Sequence, residues 1–574
     1  MTAPRALHGD RNARRWRLAA RAIALLVMLP IVAGILGVAL LPAFGYLPAL
    51  GADTPGFGVM TALLREPGLL LRSVMVSAGS GLVATAVSVV LTAAILAAAF
   101  GTRALRVVER LLAPILSVPH AAAALGFVFL FAPSGFLLRL VSPWPSGLMA
   151  PPDVTLLKDP FGIALTAALV VKETPFLFLM ALAALGQVRA DERVAVARTL
   201  GYGRIAAVLI AVWPLVYRQL RLPVLAVLAF SVSVVDMALI LGPTRPPTLG
   251  VRILGWLQSA DLSAWNIGSA AALLMIGLVA GAVLLWFSLE AALMPAIRLW
   301  QTGGRRGRGA EALGTPVLVL ALCGVVAVFL GFAGLVAQSF AGYWPFPDLL
   351  PHSVSGAAWA AHLPQALPVL ATTLLIALAA SIIALPAAIV LLEAERRGAR
   401  IGWLVYAPLI VPQVTFLFGL NVLAIAGGLT PGPVVVTLAH TLFTLPYVLI
   451  ALSGPFAALD PRFEAVAAGV GAGPARRLFM VRLPMLARPL AVAAALSVAV
   501  SVGLYLPTQM LGGGRVATVT TEAVTAASAG ERRLIGLFAT LQLLLPFLAF
   551  SLARGAPALT ARLHRRAAIT GGTR

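Results

Sequence analysis

Long apolar segments alternate with short polar segments along nearly the whole chain. An apolar run of about 20 residues can cross the hydrocarbon core of a lipid bilayer as a helix. The pattern predicts twelve such spans, six in residues 1–300 and six in residues 301–574. They cover approximately residues 22–43, 72–100, 111–132, 161–186, 222–242, 267–294, 315–338, 366–392, 403–427, 433–453, 489–511 and 533–554. We therefore expect an all-α polytopic membrane protein.

The composition supports this interpretation and excludes several classes of protein. Hydrophobic residues make up 60% of the 574 residues and charged residues only 11%, against about 25% charged in soluble domains. The net charge of +22 could indicate a nucleic-acid partner, but the arginines lie between the predicted spans, as membrane topology requires. No nucleic-acid partner is expected. With a single cysteine, Cys323, and no cluster of ligating residues, no metal site or enzyme active site is expected either.

The arginines also predict the orientation. Arginine-rich connections alternate with arginine-poor ones along the chain. The rich connections are residues 103–110, 189–218, 298–308, 396–400 and 459–488, together with the end of the chain at 562–566. The long connection 339–365 contains no lysine or arginine. Positive charge marks the cytoplasmic side, so both termini are expected in the cytoplasm, with the chain crossing a bacterial inner membrane many times.

One motif occurs twice at a fixed spacing. The pattern AVA-x3-G-x12-P begins at Ala195 and again 270 residues later at Ala465. The remaining matched positions are Ala197, Gly201 and Pro214 in the first copy and Ala467, Gly471 and Pro484 in the second. Other residues match at the same distance, among them Thr248 with Thr518. We interpret the chain as a tandem duplication of two six-helix domains, 1–300 and 301–574. An even number of spans per copy predicts parallel repeats.

The motif resembles the EAA loop of permease subunits in binding-protein-dependent ABC importers, whose pattern is EAA-x3-G-x9-I-x-L-P. The resemblance implies the type I ABC importer permease fold. It also implies that residues 189–218 and 459–488 are coupling loops, each with two short helices that join at the glycine and dock into an ATPase subunit. Glycine suits a sharp corner because it tolerates positive φ, and proline suits the start of the following helix.

The chain departs from the family pattern at the glutamate of the motif. Ala195 and Ala465 occupy that position, while Glu192 and Glu464 lie nearby but out of register. The resemblance therefore implies docking of an ATPase subunit without the family's glutamate contact.

Two permease halves in one chain resemble the fused double permeases of the ferric-iron and thiamine importers. The segments SVPHAA at 117–122 and KETP at 172–175 are most similar to the thiamine-type branch. The resemblance implies a periplasmic solute-binding protein, two copies of an ATPase subunit, and thiamine or a related small solute. Neither of the two lysines lies in the Gly-Lys-Ser/Thr sequence of a phosphate-binding loop. ATP is thus expected on the partner, and no cofactor on this chain.

Three charged residues fall inside predicted spans: Lys172, Glu173 and Asp236. Charges at membrane depth are costly and usually face a cavity or a partner. One hypothesis places all three along the solute path between the halves. The alternative is a structural ion pair, for example between Lys172 and Asp236.

A second functional class stays open on the same residues. An ion-coupled secondary transporter would use Lys172, Glu173 and Asp236 as a proton relay and would need no partner protein. A secondary transporter does not explain why the AVA loops are duplicated, so the importer hypothesis is favoured. The lone histidines His120 and His440 are predicted to make interhelical hydrogen bonds and not to bind solute.

Overall fold

The computed structural model describes residues 5–46, 54–116, 118–261, 263–304, 306–400 and 402–571. Up to residue 302 the helices are α1 (Arg5–Gly34), α2 (Leu41–Ala43), α3 (Gly58–Leu63), α4 (Pro67–Ala99), α5 (Arg103–Leu116), α6 (His120–Phe131), α7 (Phe136–Leu140), α8 (Ile163–Leu185), α9 (Ala190–Thr199), α10 (Arg204–Ala207), α11 (Trp213–Ser233), α12 (Asp236–Leu241), α13 (Leu249–Leu257) and α14 (Ser263–Thr302).

The second part of the chain repeats this order with small differences. Its helices are α15 (Gly314–Phe340), α16 (Ala357–Arg396), α17 (Ala407–Ile410), α18 (Gln413–Ala426), α19 (Pro433–Ala457), α20 (Pro461–Gly469), α21 (Pro474–Arg477), α22 (Leu483–Met485), α23 (Ala487–Gly503), α24 (Leu506–Leu511), α25 (Val519–Ala529) and α26 (Arg532–Gly571). Short π-helical turns lie at Ile35–Leu40, Val208–Val212 and Leu478–Arg482, and 3₁₀ turns at Arg308–Leu313 and Gly402–Tyr406.

The predicted fold class is confirmed. Ten helical segments are long and apolar enough to cross a membrane, and the number rises to twelve if two bent helix pairs each count as one span. Within the described residues, extended backbone pairs only at an isolated bridge between Ala341 and Val354. The molecule is therefore an all-α polytopic membrane protein. The hydropathy pattern located the spans because lipid-facing helices must be apolar along their length.

Two of the predicted spans are not continuous helices, because each is interrupted at a proline. The predicted span 111–132 is interrupted between α5 and α6 immediately before Pro119. The predicted span 403–427 is interrupted before Pro412, and its two parts meet at 104°. Proline has no N–H to donate and disfavours helical backbone in the preceding residue. Each helix therefore stops and restarts in a new direction.

The fifth and eleventh predicted spans are also interrupted, between α11 and α12 and between α23 and α24. Carbonyl groups freed at membrane depth need partners, and the next helix covers them in each case. Gly250 of α13 packs so closely that a Cβ there would lie 3.2 Å from the Ser233 carbonyl oxygen. At the matching position of α25, Thr520 donates its hydroxyl to the Val502 carbonyl. These breaks depend on tertiary contacts, which explains why the apolar pattern did not reveal them.

The first helix of each predicted half packs against the other half. α1 lies against α16 and α18, and α15 lies against α4 and α6. Glycine pairs permit both contacts: Gly34 meets Gly419, and Gly331 meets Gly126. A Cβ on Gly331 would lie 2.9 Å from the Gly126 carbonyl oxygen. Small residues let membrane helices approach closely, so the two halves interlock through a pair of related backbone contacts.

Several elements recur at the spacing of the sequence repeat. α10 and α21, the π-helical turns that follow them, and α12 and α24 each begin and end 270 residues apart. This regularity agrees with a duplicated chain. The division into the domains 1–300 and 301–574, and the orientation of both repeats in the membrane, stay predictions.

Candidate solute path and coupling loops

Each AVA loop folds as a helix, a glycine corner and a second short helix. In the first loop Gly201, with φ of +88°, lies between α9 and α10; in the second, Gly471, with φ of +85°, lies between α20 and α21. Glycine adopts this left-handed conformation without a steric cost. Pro214 and Pro484 lie in the first turns of α11 and α22, where the missing N–H costs no helical hydrogen bond. The local geometry is thus the same in both loops.

The alanines of the motif are positioned by the helices before the corners. Ala195 and Ala465 are exposed on α9 and α20. Ala197 is buried, and Ala467 is half-buried. Only the last alanine of each motif therefore packs against the rest of the chain.

Exposed apolar side chains flank both corners at matching positions. Val196 and Leu200 are each 62% exposed in the first loop, and Val466 and Val470 are 69% and 82% exposed in the second. Exposed apolar residues that cluster on one surface are typical of protein interaction sites. Each loop therefore presents an exposed apolar surface beside its corner, and the two surfaces are related by the sequence repeat.

The first loop is tied to the end of α4 by one arginine. The Arg204 guanidinium donates to carbonyl oxygens that have no helical partner at this helix terminus. These acceptors are Ala97 at 3.1 Å, Ala98 at 2.7 Å and Phe100 at 2.9 Å. The first loop is therefore hydrogen-bonded directly to the end of a membrane-spanning helix.

The second loop is tied to α16 by ion pairs. Arg482, which follows the corner, pairs with both Glu464 of the loop and the buried Glu393 of α16. Arg396, at the end of α16, also pairs with Glu464 at 2.8 Å. In the sequence, Glu464 stands out only as a glutamate out of register with the motif. Its ion-pair partners could not be predicted, because they do not occupy fixed positions of the motif.

Lys172 makes its hydrogen bonds to backbone carbonyls, and in the described residues it forms no ion pair within 4 Å with another intramembrane charge. Its Nζ donates to the carbonyl oxygens of Ile115 at 2.9 Å, Leu116 at 3.3 Å and Val118 at 2.5 Å. These carbonyls lose their helical partners where α5 stops, so the ammonium group stabilises the interruption. In the described chain no ion pair joins Lys172 to Asp236, so that alternative is not formed.

Replacing Lys172 by methionine is expected to lower the amount of folded protein, and not transport alone. The Leu116 and Val118 carbonyls would lose their donor, and the Ile115 carbonyl would keep only the Val118 N–H, at about 1–3 kcal/mol for each unsatisfied group. Thermal unfolding of the purified chain would measure the change. Lys158→Met is the matched control, because Lys158 is exposed. If Lys172→Met keeps normal thermal stability but loses solute uptake, the structural role is contradicted and the solute-path hypothesis for Lys172 is supported.

Glu173 pairs with His120, and Asp236 interacts with both residues over a longer distance. The Glu173 Oε1 lies 3.2 Å from the His120 Nε2, and Glu173 is buried. Asp236 begins α12, where its carboxylate accepts a hydrogen bond from the N–H of Met237, and it interacts electrostatically with both His120 and Glu173. Three separate helices thus bring two carboxylates and an imidazole together at membrane depth.

The second half of the chain supplies tyrosines to this cluster. Tyr447 of α19 interacts electrostatically with Glu173, and Tyr505 interacts with Asp236. The Phe230 ring lies 4.6 Å from the His120 ring, measured between centroids. Tyrosines of the second half are therefore near enough to the two carboxylates to interact with them electrostatically. Sequence reasoning missed Tyr447 and Tyr505, although a polar aromatic residue inside a predicted span was an available signal.

The prediction for His440 is confirmed. Its Nδ1 lies 2.7 Å from the Ser501 hydroxyl and its Nε2 lies 2.9 Å from the Thr508 hydroxyl. Both ring nitrogens are engaged with neighbouring helices, so His440 has a structural role. His120 also makes a predicted interhelical contact, with Glu173 of α8, but its side chain is partly exposed.

Comparison with known proteins agrees with this architecture. No family model matches the chain. The chain is 32% identical over 445 residues to the inner membrane ABC transporter permease protein YnjC of Escherichia coli (strain K12), and the matched region covers 76% of this chain and 78% of that protein. Identity of this extent, together with the many membrane-spanning helices, establishes the relationship. The chain belongs to the multi-pass inner-membrane permeases of ABC transporters.

Proposed function

We propose that this chain is the permease subunit of an ATP-driven ABC importer and carries a small solute from the periplasm to the cytoplasm. The two glycine-cornered loops carry the proposal. They share one geometry, and each exposes apolar side chains beside its corner. A transporter that works without an ATPase has no use for two such surfaces.

The partners follow from this arrangement. Two copies of an ATPase subunit dock at the loops around Gly201 and Gly471, on the cytoplasmic side with both termini, and bind the ATP. A periplasmic solute-binding protein delivers solute to the opposite face. ATP binds preferentially to the closed ATPase dimer and so shifts the population of permease conformations. Arg204 and the Arg482 ion pairs transmit the movement to α4 and α16.

The solute is a small organic cation, with thiamine or a related compound as the best candidate. Glu173 and Asp236 supply negative charge at the meeting point of the halves, while Tyr447 and Tyr505 supply aromatic faces. Cations bind favourably to aromatic faces when they lose water. A path lined in this way suits a quaternary or protonated nitrogen.

An ion-coupled secondary transporter is the second candidate, and one observation favours it. Glu173, His120 and Asp236 form a titratable cluster at membrane depth, as proton relays do. This candidate leaves the duplicated loops without a purpose, so we rank it second.

Purification of the tagged chain from gently solubilised native membranes tests the proposal. We expect an ATPase subunit to co-purify, at two copies per chain, and to be largely lost from a variant with Gly201→Arg and Gly471→Arg. A side chain at positive φ is strained, and the arginine also covers the docking corner. Gly186→Arg is the control, because Gly186 has ordinary helical backbone and open space around it.

The opposite result would be equally clear. If the chain purifies alone and moves solute in ATP-free vesicles under a proton gradient, the proposal of an ATP-driven importer is wrong. The cluster around Glu173 would then be the centre of a secondary transporter.

A further inference from the structure

The segment that connects the two halves lies against the first coupling loop. This linker segment, residues 306–313, makes backbone and side-chain contacts with the corner. The Gly203 N–H donates to the Arg306 carbonyl at 3.0 Å, and the Arg308 Nε donates to the Gly201 carbonyl at 3.4 Å. The corner and the linker segment are therefore hydrogen-bonded in both directions.

Glu311 fixes the linker segment to the helix after the corner. Its Oε1 accepts a hydrogen bond from the Ile205 N–H at 2.9 Å, and its Oε2 lies 3.6 Å from the Arg204 guanidinium. Gly203, the residue before α10, has no side chain to cap that helix. Glu311 thus provides the cap from 106 residues away, at a helix end where a carboxylate is favoured.

The packing between the two segments is tight. A Cβ on Gly201 would lie 3.0 Å from the Arg306 guanidinium, and a Cβ on Gly307 would lie 2.6 Å from the Ala206 Cβ. Residues with this little free space move together. The linker segment is accordingly part of the surface around the first corner.

The second loop differs at the same positions. In the part of the chain that the structure describes, no atom lies within 4 Å of a Cβ placed on Gly471 or Gly473. The carboxylate that braces this loop, Glu464, comes from the loop itself. The two docking surfaces are therefore unequal, although their backbone geometry is the same.

We propose that the linker segment is a fixed part of the first ATPase docking surface and adds two cationic contacts there, Arg306 and Arg308, from outside the loop. The arginines beside the second corner, Arg476 and Arg477, belong instead to the loop itself. Both side chains are exposed beside the corner. The partner surface at the first loop carries acidic residues opposite them. The inference rests on the proposed function, because it presupposes that an ATPase subunit docks at these loops.

Site-specific crosslinking tests the contact. In a Cys323→Ser background, single cysteines are introduced by Arg308→Cys in the linker segment and by Leu200→Cys and Val470→Cys in the two loops. Trp144→Cys, 85% exposed in a connection of the opposite predicted side, is the negative control. We expect the first three variants to crosslink to the ATPase subunit and Trp144→Cys to give no product.

Charge reversal tests whether the two docking surfaces differ. With Arg306→Glu and Arg308→Glu together, we expect native mass spectrometry to show the complex fall from two ATPase subunits to one. Like charges placed opposite each other weaken an interface strongly, here by about tenfold or more at the first surface alone. Arg103→Glu with Arg106→Glu is the matched control, because both side chains are exposed on α5.

The outcomes separate the two proposals. If the unmodified chain binds no ATPase subunit, the proposed function fails and this inference fails with it. If the unmodified chain binds two copies, and the double variant keeps both while Arg308→Cys gives no crosslink, only the inference is overturned. Loss of one ATPase subunit in the double variant, together with a crosslink from Arg308→Cys, supports the inference.

Discussion

Glu173→Gln and Asp236→Asn are each expected to reduce solute uptake about 10- to 100-fold, while the assembled complex keeps its ATPase subunits. The loss corresponds to one charge-assisted hydrogen bond or ion pair with the solute, worth about 1.5–3 kcal/mol. Both substitutions preserve the size of the side chain and remove only its charge. The second half has Thr444 and Leu506 at the matching positions, so it offers no replacement carboxylate.

Uptake of radiolabelled thiamine into proteoliposomes measures the effect, with ATP inside and the binding protein outside. Glu531→Gln is the control, because Glu531 is exposed and remote from the cluster. Unchanged uptake in both variants would remove Glu173 and Asp236 from the path. If the unmodified chain moves other cations but not thiamine, the cationic path stands and the solute assignment is wrong.

Gly331→Leu is expected to destabilise the folded chain strongly. The Cβ alone would lie 2.9 Å from the Gly126 carbonyl oxygen, so α15 and α6 would have to separate along their length. Overpacking of a membrane interface removes many close contacts at once, and we expect a loss of about 3 kcal/mol or more. Gly419→Leu, at the related contact with Gly34, is expected to behave in the same way.

Gly324→Leu is the matched control on the same helix. A Cβ on Gly324 meets nothing within 4 Å, so leucine there faces open space or lipid. Membrane abundance and thermal unfolding of the purified chain compare the variants. Equal stability of Gly331→Leu and Gly324→Leu would show that the glycine contacts do not hold the halves together.

The duplicated loops show how far local sequence information extends. A glycine that needs positive φ and a proline at a helix start are local requirements, so the motif alone located both corners. The residues that brace the corners were not predictable in this way. Arg204, Glu311 and Glu393 act on partners 89 to 106 residues away, or on bare backbone carbonyls, and neither relationship leaves a pattern in the sequence.

The intramembrane charges show the same limit. Their position at membrane depth marked Lys172, Glu173 and Asp236 as unusual, because a charge in lipid is costly. Which of them face one another depends on the directions of neighbouring side chains on α8. Adjacent residues on a helix point to different sides, so Lys172 reaches the end of α5 while Glu173 reaches His120.

The sequence by itself determined the class of the protein, the location of its membrane spans and the two glycine corners. Each of these follows from the cost of polar groups in lipid or from the φ that one residue must adopt. The tertiary structure alone decided where the fifth span breaks without a proline, which helices of the two halves interlock, and how the linker segment joins the first loop. Those features depend on contacts between residues far apart in the chain, whose energies are set only when the backbone brings them together.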